Sequence, residues 1–537
     1  MNCDICFVVP ALQPKLKEES IGTLILAKKV IVEGFKAQIV RYWESKISPK
    51  NDYNSFKYNI INCIISKQPK VVSFYCRCEE YHICIDLAKE IKEKDETITI
   101  LFGGPQAELV AKETIKKFSW VDYVLCSEGE NTIVPILNFL TRNKAGKIQA
   151  KDIPGLTYRD KRGDVLQNNF PELLCDQYVR EYQYYDLIES SILEKAKSVQ
   201  IDVGRGCPFA CTFCSTKTFW KRKFRLRSVD NILDEIEYVI NTYGITDFDF
   251  KHDLFTANKR RVLEFCRALR KRKLSISWGC DSRLDTIDKN LIDIMCECGM
   301  NRIFFGVETG SERMQKLINK NLKLKSGVEV ISHCITKGLH VTASFIYGFP
   351  EETEEDLSQT LKMIIELHNN GCNILTNMCH IMNGTDLYNR YGKSLVITEN
   401  ISYNKSIIAF EELYGLISSN RDIFPNFYDY PTELRKSMTY LDIYRFALLY
   451  CKIHMPEVHL FLQAHNYGSL DMYKMFCNAN SDIITEGDIP SNGDPNKMIS
   501  KMKRLPDLVY NQLIKNLVTL INLSLIHISE PTRRTPI

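Results

Sequence analysis

A short stretch of the sequence holds three cysteines at close spacing: Gly204-Arg205-Gly206-Cys207-Pro208-Phe209-Ala210-Cys211-Thr212-Phe213-Cys214. Three thiolates on one loop can ligate three irons of a 4Fe–4S cluster, and the stretch contains no fourth cysteine for the remaining iron. An iron with an open position can bind and activate a substrate, as the open position of a catalytic zinc site does. We therefore predict that Cys207, Cys211 and Cys214 hold a cluster that takes part in chemistry.

Zinc is the alternative metal for closely spaced cysteines. Structural zinc sites pair two-cysteine knuckles or add histidines at set spacing. The histidine nearest to the loop in the sequence is His252, outside the stretch, so the pattern favours a cluster. Other cysteines also occur as close pairs, but a free cysteine is most often a small buried hydrophobic residue, and we interpret these pairs that way. They are Cys3 with Cys6, Cys76 with Cys78, and Cys296 with Cys298.

The overall composition limits the classes of protein that fit. The chain has 537 residues, and its 70 basic and 66 acidic residues give a net charge of +4. This balance lacks the basic excess of nucleic-acid-binding proteins. Residues 1–12 lack the basic segment of a signal peptide, and no apolar run is long enough to cross a bilayer. We therefore expect a cytoplasmic protein without a membrane span, in which most of the 20 cysteines form no disulfide.

The cluster loop must be positioned by ordered elements, and the hydrophobic pattern predicts an α/β protein. Residues 1–145 alternate β-branched runs with amphipathic helical patterns, which predicts a doubly wound parallel sheet. Ligands bind beyond the carboxyl ends of such strands. Two of the predicted strand ends carry glycine, at Gly103-Gly104 and at Glu128-Gly129, where backbone can approach a ligand or simply turn tightly. The predicted strands are 5–9, 37–42, 71–75, 97–102 and 121–125.

The rest of the chain divides into four further segments. Residues 146–196 are expected to be a linker. Residues 197–384 alternate again, with six predicted strands, which is too few for a closed eight-fold barrel and favours a partial (βα)6 barrel. Residues 385–522 are expected to be a mainly helical cap for the substrate, and 523–537 continue no earlier pattern and resemble translated adapter sequence, so we expect a non-native tail. The predicted barrel strands are 199–203, 247–251, 275–280, 302–307, 341–347 and 372–377.

Residues 205–214 resemble the Cys-x3-Cys-x-aromatic-Cys signature of radical S-adenosylmethionine (SAM) enzymes. Residues 250–256 are similar to the second-strand motif of the cobalamin-binding branch of that family. Residues 282–285, 305–311 and 345–353 resemble motifs on its later strands. Gly-Gly-Pro at 103–105 and Glu-Gly-Glu at 128–130 resemble the cobalamin-binding domain that precedes the barrel in this branch. The resemblance covers roughly residues 1–380 of the chain.

The resemblance implies three cofactors: a 4Fe–4S cluster on Cys207, Cys211 and Cys214, SAM chelated to the open iron, and cobalamin. One electron to the cluster would cleave SAM to methionine and a 5′-deoxyadenosyl radical, which abstracts a substrate hydrogen. His252 stands where the family usually has aspartate. The implied SAM-binding residues are Phe213, His252, Asp253, Ser282, Arg283, Glu308, Ile346 and Gly348. The implied cobalamin-binding residues are Ser73, Tyr75, Gly103, Gly104, Glu128 and Gly129.

The N-terminal region lacks the Asp-x-His-x-x-Gly loop that supplies a histidine to cobalt in many cobalamin proteins. The first histidine of the chain, His82, follows the third predicted strand, and its position at a helix start favours a surface or capping role. We therefore predict cobalamin bound without a protein histidine on the cobalt. A weakly ligated cobalt suits the acceptance and transfer of a methyl group.

The predicted function is a cobalamin-dependent radical SAM methyltransferase acting on an unactivated carbon or phosphorus centre. Three alternatives stay open: ring contraction or cyclisation without methyl transfer, methylthiolation of RNA or protein, and a cobalamin-binding module without catalysis. The expected partners are a small-molecule or peptide substrate and an electron donor such as flavodoxin or ferredoxin, and nucleic acid is not an expected partner. The tyrosine-rich helices after residue 385 specify no ligand class.

Overall fold

The computed structural model describes residues 2–142, 148–181, 183–397, 408–432 and 434–435. Two sheets of mainly parallel strands dominate these residues, and helices connect their strands. Strands separated by single helices pair in parallel through crossover connections, which is the arrangement that the alternating pattern predicts. The α/β fold class is confirmed, and both sheets lie within one compact unit of the chain.

The first sheet has seven strands in the order β2-β1-β3-β4-β5-β6-β7. Its first five strands pair in parallel, and the order 2-1-3-4-5 puts a topological switch point between β1 and β3. The sheet's carboxyl edge at that point is therefore the expected ligand-binding edge. The strands are β1 Cys3–Val9, β2 Ala37–Arg41, β3 Pro69–Tyr75, β4 Thr99–Gly103, β5 Tyr123–Leu125, β6 Leu156–Arg159 and β7 Val165–Gln167.

Side chains alternate between the two faces of the first sheet. In β1, Ile5 and Phe7 enter the core on one face, whereas Cys6 and Val8 enter the core on the other. Ala27 of the first helix packs on the former face, so helices cover both sides of the sheet. The connecting helices are α1 Ile21–Val32, α2 Tyr53–Ser66, α3 Tyr81–Lys94, α4 Pro105–Leu109, α5 Ala111–Lys117 and α6 Ile133–Leu137, and a π-helical turn follows at Asn138–Arg142.

The expected linker at 146–196 is wrong for its first part. β6 pairs antiparallel with β5, and β7 pairs antiparallel with β6, so both strands extend the first sheet. The polar residues 160–164 form the tight turn between these two strands, with the Asp160 carboxylate accepting the Arg162 and Asp164 N–H groups. The polar residues of this turn resemble a linker in the sequence because the turn of an edge hairpin is built from the same residue types.

The second sheet is the predicted partial barrel. Its six strands are all parallel, in the order β15-β14-β13-β12-β11-β8. A short antiparallel pair, β9 with β10, stands beside the end of β8. The strands are β8 Val199–Asp202, β9 Gly204–Arg205, β10 Arg225–Leu226, β11 Asp247–Lys251, β12 Ser277–Ser282, β13 Met300–Glu308, β14 His340–Tyr347 and β15 Asn373–Met378.

Helices of this half of the chain pack their apolar sides against the barrel core. Phe250 of β11 stacks on Trp278 of β12 with ring centroids 4.8 Å apart, and both are buried. The helices are α7 Ser190–Glu194, α8 Thr216–Phe219, α9 Val229–Tyr243, α10 Lys259–Lys271, α11 Lys289–Glu297, α12 Glu312–Leu317, α13 Leu324–Thr336 and α14 Glu354–Asn369.

After the barrel, the described residues contain two short helices, α15 Asp386–Tyr391 and α16 Tyr414–Ser418, and one bridge between Val396 and Asp429. This agrees with the expected mainly helical region, most of which lies outside the described residues, as does the expected tail at 523–537. Among the helices that are described, none is long and apolar enough to cross a membrane.

Candidate active site

The three-cysteine loop lies between β9 and α8, at the carboxyl end of β8. Its backbone requires glycine at position 206, where φ is +90° and an added Cβ would collide with the Lys223 carbonyl oxygen. The Gly206 N–H donates to the Asp253 carboxylate at 2.7 Å. The loop is thus fixed by the β9/β10 pair on one side and by Asp253, two residues after β11, on the other.

The three cysteines differ in burial, with Cys211 buried and Cys207 and Cys214 half-buried. Burial raises the pKa of the Cys207 thiol to about 11. Burial also raises the pKa of Cys211, and the nearby cations Lys320 and Arg283 oppose that rise. The Arg283 guanidinium lies 3.6 Å from the Cys211 sulfur. Positive charge beside a buried thiol stabilises the thiolate, which is the form that ligates metal, so the donor set fits an anionic cluster.

No group of three or more His, Cys, Asp or Glu side chains within the described ranges is placed to hold one metal ion. Each thiolate of a 4Fe–4S cluster binds a different iron, so three cluster ligands need not converge on one point.

Asp253 and His252 follow β11, where the resemblance expects contacts to SAM. The His252 ring is buried, and both ring nitrogens are engaged by backbone: the Leu254 N–H donates to Nδ1 at 2.8 Å, and Nε2 lies 3.1 Å from the Arg225 carbonyl oxygen. Because Nδ1 accepts, Nε2 carries the proton and donates. Burial lowers the pKa of His252 to about 4, so the ring is neutral. The His252 ring thus fixes the turn after β11, and hydrogen bonding to a ligand is left to the neighbouring Asp253.

Arg283 connects the end of β12 to the cluster loop. Its guanidinium lies 3.7 Å from the centroid of the Phe209 ring, donates to Asp285 at 2.8 and 2.9 Å, and donates to the Lys320 carbonyl oxygen at 2.7 Å. Ser282, which the resemblance also implies as a SAM-binding residue, is buried and shares a hydrogen bond of 2.6 Å with the Thr256 hydroxyl.

Glu308 ends β13 in a left-handed conformation, with φ of +70°, which is uncommon outside glycine. Its carboxylate is ion-paired with Lys320 at 2.5 Å, and both side chains are buried. A strained residue held in a buried pair beside a cysteine ligand is typical of a functional site.

The remaining predicted SAM residues lie at the far side of the cysteine loop. The Phe213 ring packs edge-on against Phe349 with centroids 5.9 Å apart. Ile346 and Phe213 are both half-buried against the same hydrophobic cluster. The Gly348 N–H follows β14 and donates to the Glu352 carboxylate at 2.5 Å. The cysteine loop and the end of β14 are therefore brought together, as the sequence motifs implied.

One cavity of about 690 Å³ is lined by the carboxyl ends of both sheets. The barrel contributes Gly204, Arg205, Lys251, His252, Asp253 and Asp281. All six residues predicted to bind cobalamin line the same cavity: Ser73, Tyr75, Gly103, Gly104, Glu128 and Gly129.

The sheet side of this cavity fits a bulky ligand. Gly104 has φ of +100°, and an added Cβ would lie 3.0 Å from the backbone nitrogen and oxygen of Cys76, so only glycine keeps this edge open. Ser127 also lines the cavity in a left-handed conformation, with φ of +72°. Its buried hydroxyl has no protein partner, and such a group calls for a ligand or a water.

Glu128 does more than line the cavity. Its carboxylate accepts from Arg205 at 2.9 Å, from Arg225 at 2.8 and 2.9 Å and from the Leu174 N–H at 2.6 Å. Arg205 also pairs with Glu130 at 2.5 Å. The loop after β5 is therefore tied directly to the residue that precedes the cluster loop.

The cluster loop, strands β11 to β14 and the later motifs fall within residues 201–364, which match the model of the radical SAM superfamily. The chain contains a radical SAM domain. The family assignment predicted from the three cysteines is confirmed.

Several curated relatives of this radical SAM protein are recognisable by sequence. An uncharacterized methyltransferase of Pyrococcus horikoshii is 30% identical over 312 residues, which cover 57% of this chain and 66% of that protein. The anaerobic magnesium-protoporphyrin IX monomethyl ester cyclase of Rubrivivax gelatinosus is 28% identical over 52% of this chain and 50% of the relative. The chain thus spans between half and about two thirds of the length of these relatives.

Two solved radical SAM structures share the fold. The cobalamin-dependent enzyme OxsB, solved with aqua-cobalamin and SAM, superposes with a TM-score of 0.61 at 14% identity, covering 98% of this chain and 82% of that chain. The methyltransferase TsrM of Kitasatospora setae, solved with cobalamin and a 4Fe–4S cluster, superposes with a TM-score of 0.58 at 14% identity, covering 73% of this chain and 75% of that one.

Four residues of this radical SAM site were missed by the sequence analysis: Arg205, Lys251, Asp281 and Lys320. Burial raises the pKa of the Asp281 carboxyl to about 6, although the side chain is open to the cavity. Asp281 sits one residue before Ser282 in β12, and its alternation with buried Cys280 could have identified it as facing the other side of the strand. Lys320 had no comparable signal, because the turn after α12 brings it to Glu308.

His82 is not the surface or capping residue that its position favoured. The ring is fully buried, packs edge-on against Phe427 with centroids 4.8 Å apart, and its Nε2 lies 2.7 Å from the Ile408 carbonyl oxygen. Burial lowers the pKa of His82 to about 4. His82 is not among the residues that line the cavity at the edge of the first sheet.

Proposed function

We propose that the protein is a cobalamin-dependent radical SAM methyltransferase that acts on an unactivated carbon or phosphorus centre of a small molecule or peptide. The observation that carries this proposal is a cavity at which the two sheets meet. The glycine-lined edge of the first sheet shares this space with charged residues at the ends of β11 and β12 and with two of the predicted SAM residues, His252 and Asp253. A methyl carrier and a radical generator have to act on one substrate, so their sites must share a cavity.

When bound, the cluster with SAM supplies a radical that abstracts hydrogen, and cobalamin supplies a carrier for the methyl group. The cluster would be held by Cys207, Cys211 and Cys214. Cobalamin would lie against Gly103, Gly104 and Gly129, with the Ser127 hydroxyl as a hydrogen-bonding group.

The chain's own charges suit the two charged ends of SAM. Arg283 and Lys320 offer positive charge for a carboxylate beside Cys211, and Glu308 and Asp253 offer negative charge for an ammonium. Opposite charges in a partly buried site attract more strongly than in water, so these groups would orient the ligand. Predicted contacts from Phe213 and Ile346 would supply an apolar surface for the adenine.

Asp281 is the residue that can hold a proton near neutrality in this cavity. Its carboxyl lines the cavity on an exposed residue, and desolvation together with the negative charges of Asp253 and Asp249 raises its pKa to about 6, so a protonated fraction persists towards neutral pH. Lys251 opposes the rise through its positive charge. We assign Asp281 the transfer of a proton to or from the substrate.

The proposed methyl transfer is tested by anaerobic reconstitution of the full chain with iron, sulfide and cobalamin. We expect cobalamin to co-purify through gel filtration with its own absorption spectrum, and isotope from methyl-labelled SAM to enter the product. Protein that reconstitutes its cluster and cleaves SAM but binds no cobalamin would contradict the proposal.

Cyclisation without methyl transfer is the second candidate, and the similarity to the Rubrivivax cyclase favours it. The same cofactors and cavity serve both reactions. The product mass separates them, because each transferred methyl adds one CH₂ unit whereas ring formation by hydrogen abstraction adds none. Label in the product would refute the cyclase.

We also propose that an electron donor such as a flavodoxin or a ferredoxin reduces the cluster, and that the protein works in the cytoplasm. None of the 18 described cysteines is in a disulfide, which fits a reducing compartment. Cell fractionation with a tagged chain tests the location.

A further inference from the structure

Three consecutive cations, Lys221, Arg222 and Lys223, connect α8 to β10, and all three side chains are exposed. We call them the basic patch. None of the three forms an ion pair within the described part of the chain. The backbone is left-handed at Lys221 and Arg222, with φ of 50° and 59°. Two adjacent non-glycine residues in this conformation are uncommon, so the turn is held by its surroundings.

The basic patch is attached to the cluster loop. The Arg222 Nε donates to the Pro208 carbonyl oxygen at 2.9 Å, and Pro208 immediately follows the cluster ligand Cys207. The Lys223 carbonyl oxygen is the atom that a Cβ at Gly206 would strike. The patch is thus the solvent-exposed outer side of the loop whose inner side carries the cysteines.

An exposed aromatic ring lies within the patch. The Lys221 ammonium lies 5.1 Å from the centroid of the Phe170 ring, and 40% of Phe170 is exposed. The positive charge of Lys221 opposes the rise that burial causes in the pKa of Glu108. The Glu108 carboxylate also accepts a hydrogen bond from the Ser127 N–H at 2.7 Å. Cations around an exposed aromatic residue make a small contact surface, since aromatic residues and Arg supply most of the binding energy at interfaces.

We propose that the basic patch docks an acidic one-electron carrier protein, which reduces the cluster from outside the cavity. This inference rests on the proposed function, because it assumes a cluster that must receive one electron for each SAM cleaved. The carrier, a reduced flavin or iron–sulfur protein, loses one electron, and the cluster gains it without any bond change. Electron-transfer complexes are small and short-lived, and opposite surface charges raise their association rate.

The charge and place of the patch favour this partner over a solvated run of cations. A charge run that only solubilises the protein has no reason to adopt a constrained turn bonded to the cluster loop. The cavity is lined by residues on either side of the loop, such as Arg205 and Ser215, and by none of residues 206–214, so an electron carrier can approach the loop without entering the cavity. Lys and Arg on that side would attract an acidic protein over distances of about 8–10 Å at moderate salt.

The test compares K221E/K223E with K271E/K273E in the reconstituted full chain. Arg222 is left intact because it bonds to the cluster loop. The control pair lies at the carboxyl end of α10, at the opposite end of the barrel, and Lys273 is exposed and left-handed, with φ of 55°, like Lys221. Binding of oxidised flavodoxin is measured by calorimetry, and cluster reduction by flavodoxin hydroquinone is followed by stopped flow.

For K221E/K223E we expect flavodoxin affinity and the reduction rate to fall about tenfold or more at low salt, and the salt dependence to flatten. Reduction by a photoexcited deazaflavin, a small molecule that needs no docking, should be unchanged, and the control pair should match the wild type. Equal flavodoxin affinity in both variants would overturn the proposal. Equally slowed deazaflavin reduction would also overturn it, because the cations would then only hold the loop. Failure of the proposed function is distinguishable, since deazaflavin-reduced wild type would then cleave no SAM.

Discussion

The two sheets present different chemistry to the same cavity. The first sheet contributes glycine, backbone, neutral side chains such as Ser73 and Tyr75, and three glutamates whose carboxylates already accept from the Ser127 N–H or from arginine, whereas the barrel contributes Lys251, Asp253 and Asp281. An edge made of glycine recognises a ligand by shape and backbone hydrogen bonds. An edge made of charged side chains recognises charge and can move protons. The difference indicates that the sheet holds a large cofactor in place while the barrel carries the reactive chemistry.

The largest difference between the two sheets is expected when a cluster cysteine is removed. We expect Cys211→Ala to lose nearly all cluster iron, because the open-site cluster has no spare ligand to replace the missing thiolate. Cobalamin binding, which depends on the other sheet, should remain near the wild-type level. Iron and acid-labile sulfide analysis with absorption spectra measures both. Cys175→Ala is the matched control, since Cys175 is an exposed thiol outside the loop. Unchanged iron in Cys211→Ala would refute the cluster assignment.

Arg205 joins the two regions, and its removal should have the next largest effect. Arg205→Met leaves Glu130 without its cation, removes one of the three arginines near Asp202, and should lower the free energy of unfolding by about 3 kcal/mol. Arg302→Met is the control, because Arg302 also bridges two aspartates but in a more exposed setting, where about 1 kcal/mol is expected. Chemical denaturation of the apo-protein measures the difference. Equal losses in the two variants would show that the cross-sheet network stabilises the fold no more than an exposed ion pair does.

The shape of the sheet edge is tested at Gly104. Gly104→Ala puts a methyl group 3.0 Å from the Cys76 backbone in a conformation that favours glycine, and should cost about 1–3 kcal/mol and weaken cobalamin binding. Gly163→Ala is the control, because Gly163 has a similar φ of +90° with open space around it. Fluorescence or absorbance titration with cobalamin separates the two variants. If both bind cobalamin equally, close packing at this edge does not matter.

The smallest effect is expected in the pH dependence at Asp281. Its pKa is raised from 3.8 to about 6, so between these pH values the folded protein keeps a proton that the unfolded chain has released. Stability from this group is therefore lost as the pH rises through that window. His252, whose pKa is lowered, acts in the opposite direction over pH 4–6.5. Thermal melting of wild type and Asp281→Asn at pH 4.5, 5.5 and 7 isolates the carboxyl: the variant should gain stability relative to wild type as the pH rises.

Local sequence patterns predicted the strands well, because buried parallel strands are continuous apolar runs. The predicted strand at 247–251 coincides with β11, and the other parallel strands agree to within about two residues at each end. Long-range contacts account for the errors. The burial of His82 depends on Ile408 and Phe427, hundreds of residues away in the chain, and the antiparallel pairing of β6 depends on β5.

The candidate site also divides into residues that local sequence patterns reveal and residues whose role depends on long-range contacts. The cysteines were visible because their spacing on one loop is itself the signal. The six predicted cobalamin residues line one cavity with His252 and Asp253, but Glu128 also serves an ion network that no local pattern reveals. Arg205 and Lys320 were missed because their partners come from other loops, and a charged residue beside a motif gives no sign of its partner.

The ion network also has a consequence for how the protein is made. Glu128 lies 77 residues before Arg205 and 97 before Arg225, so it leaves the ribosome well ahead of both. N-terminal regions generally fold first during synthesis. We therefore expect the loop after β5 to be folded before the two arginines bind to it. The cysteine loop lies between the two arginines in the chain, so both of its anchors to Glu128 exist only once Arg225 has been made.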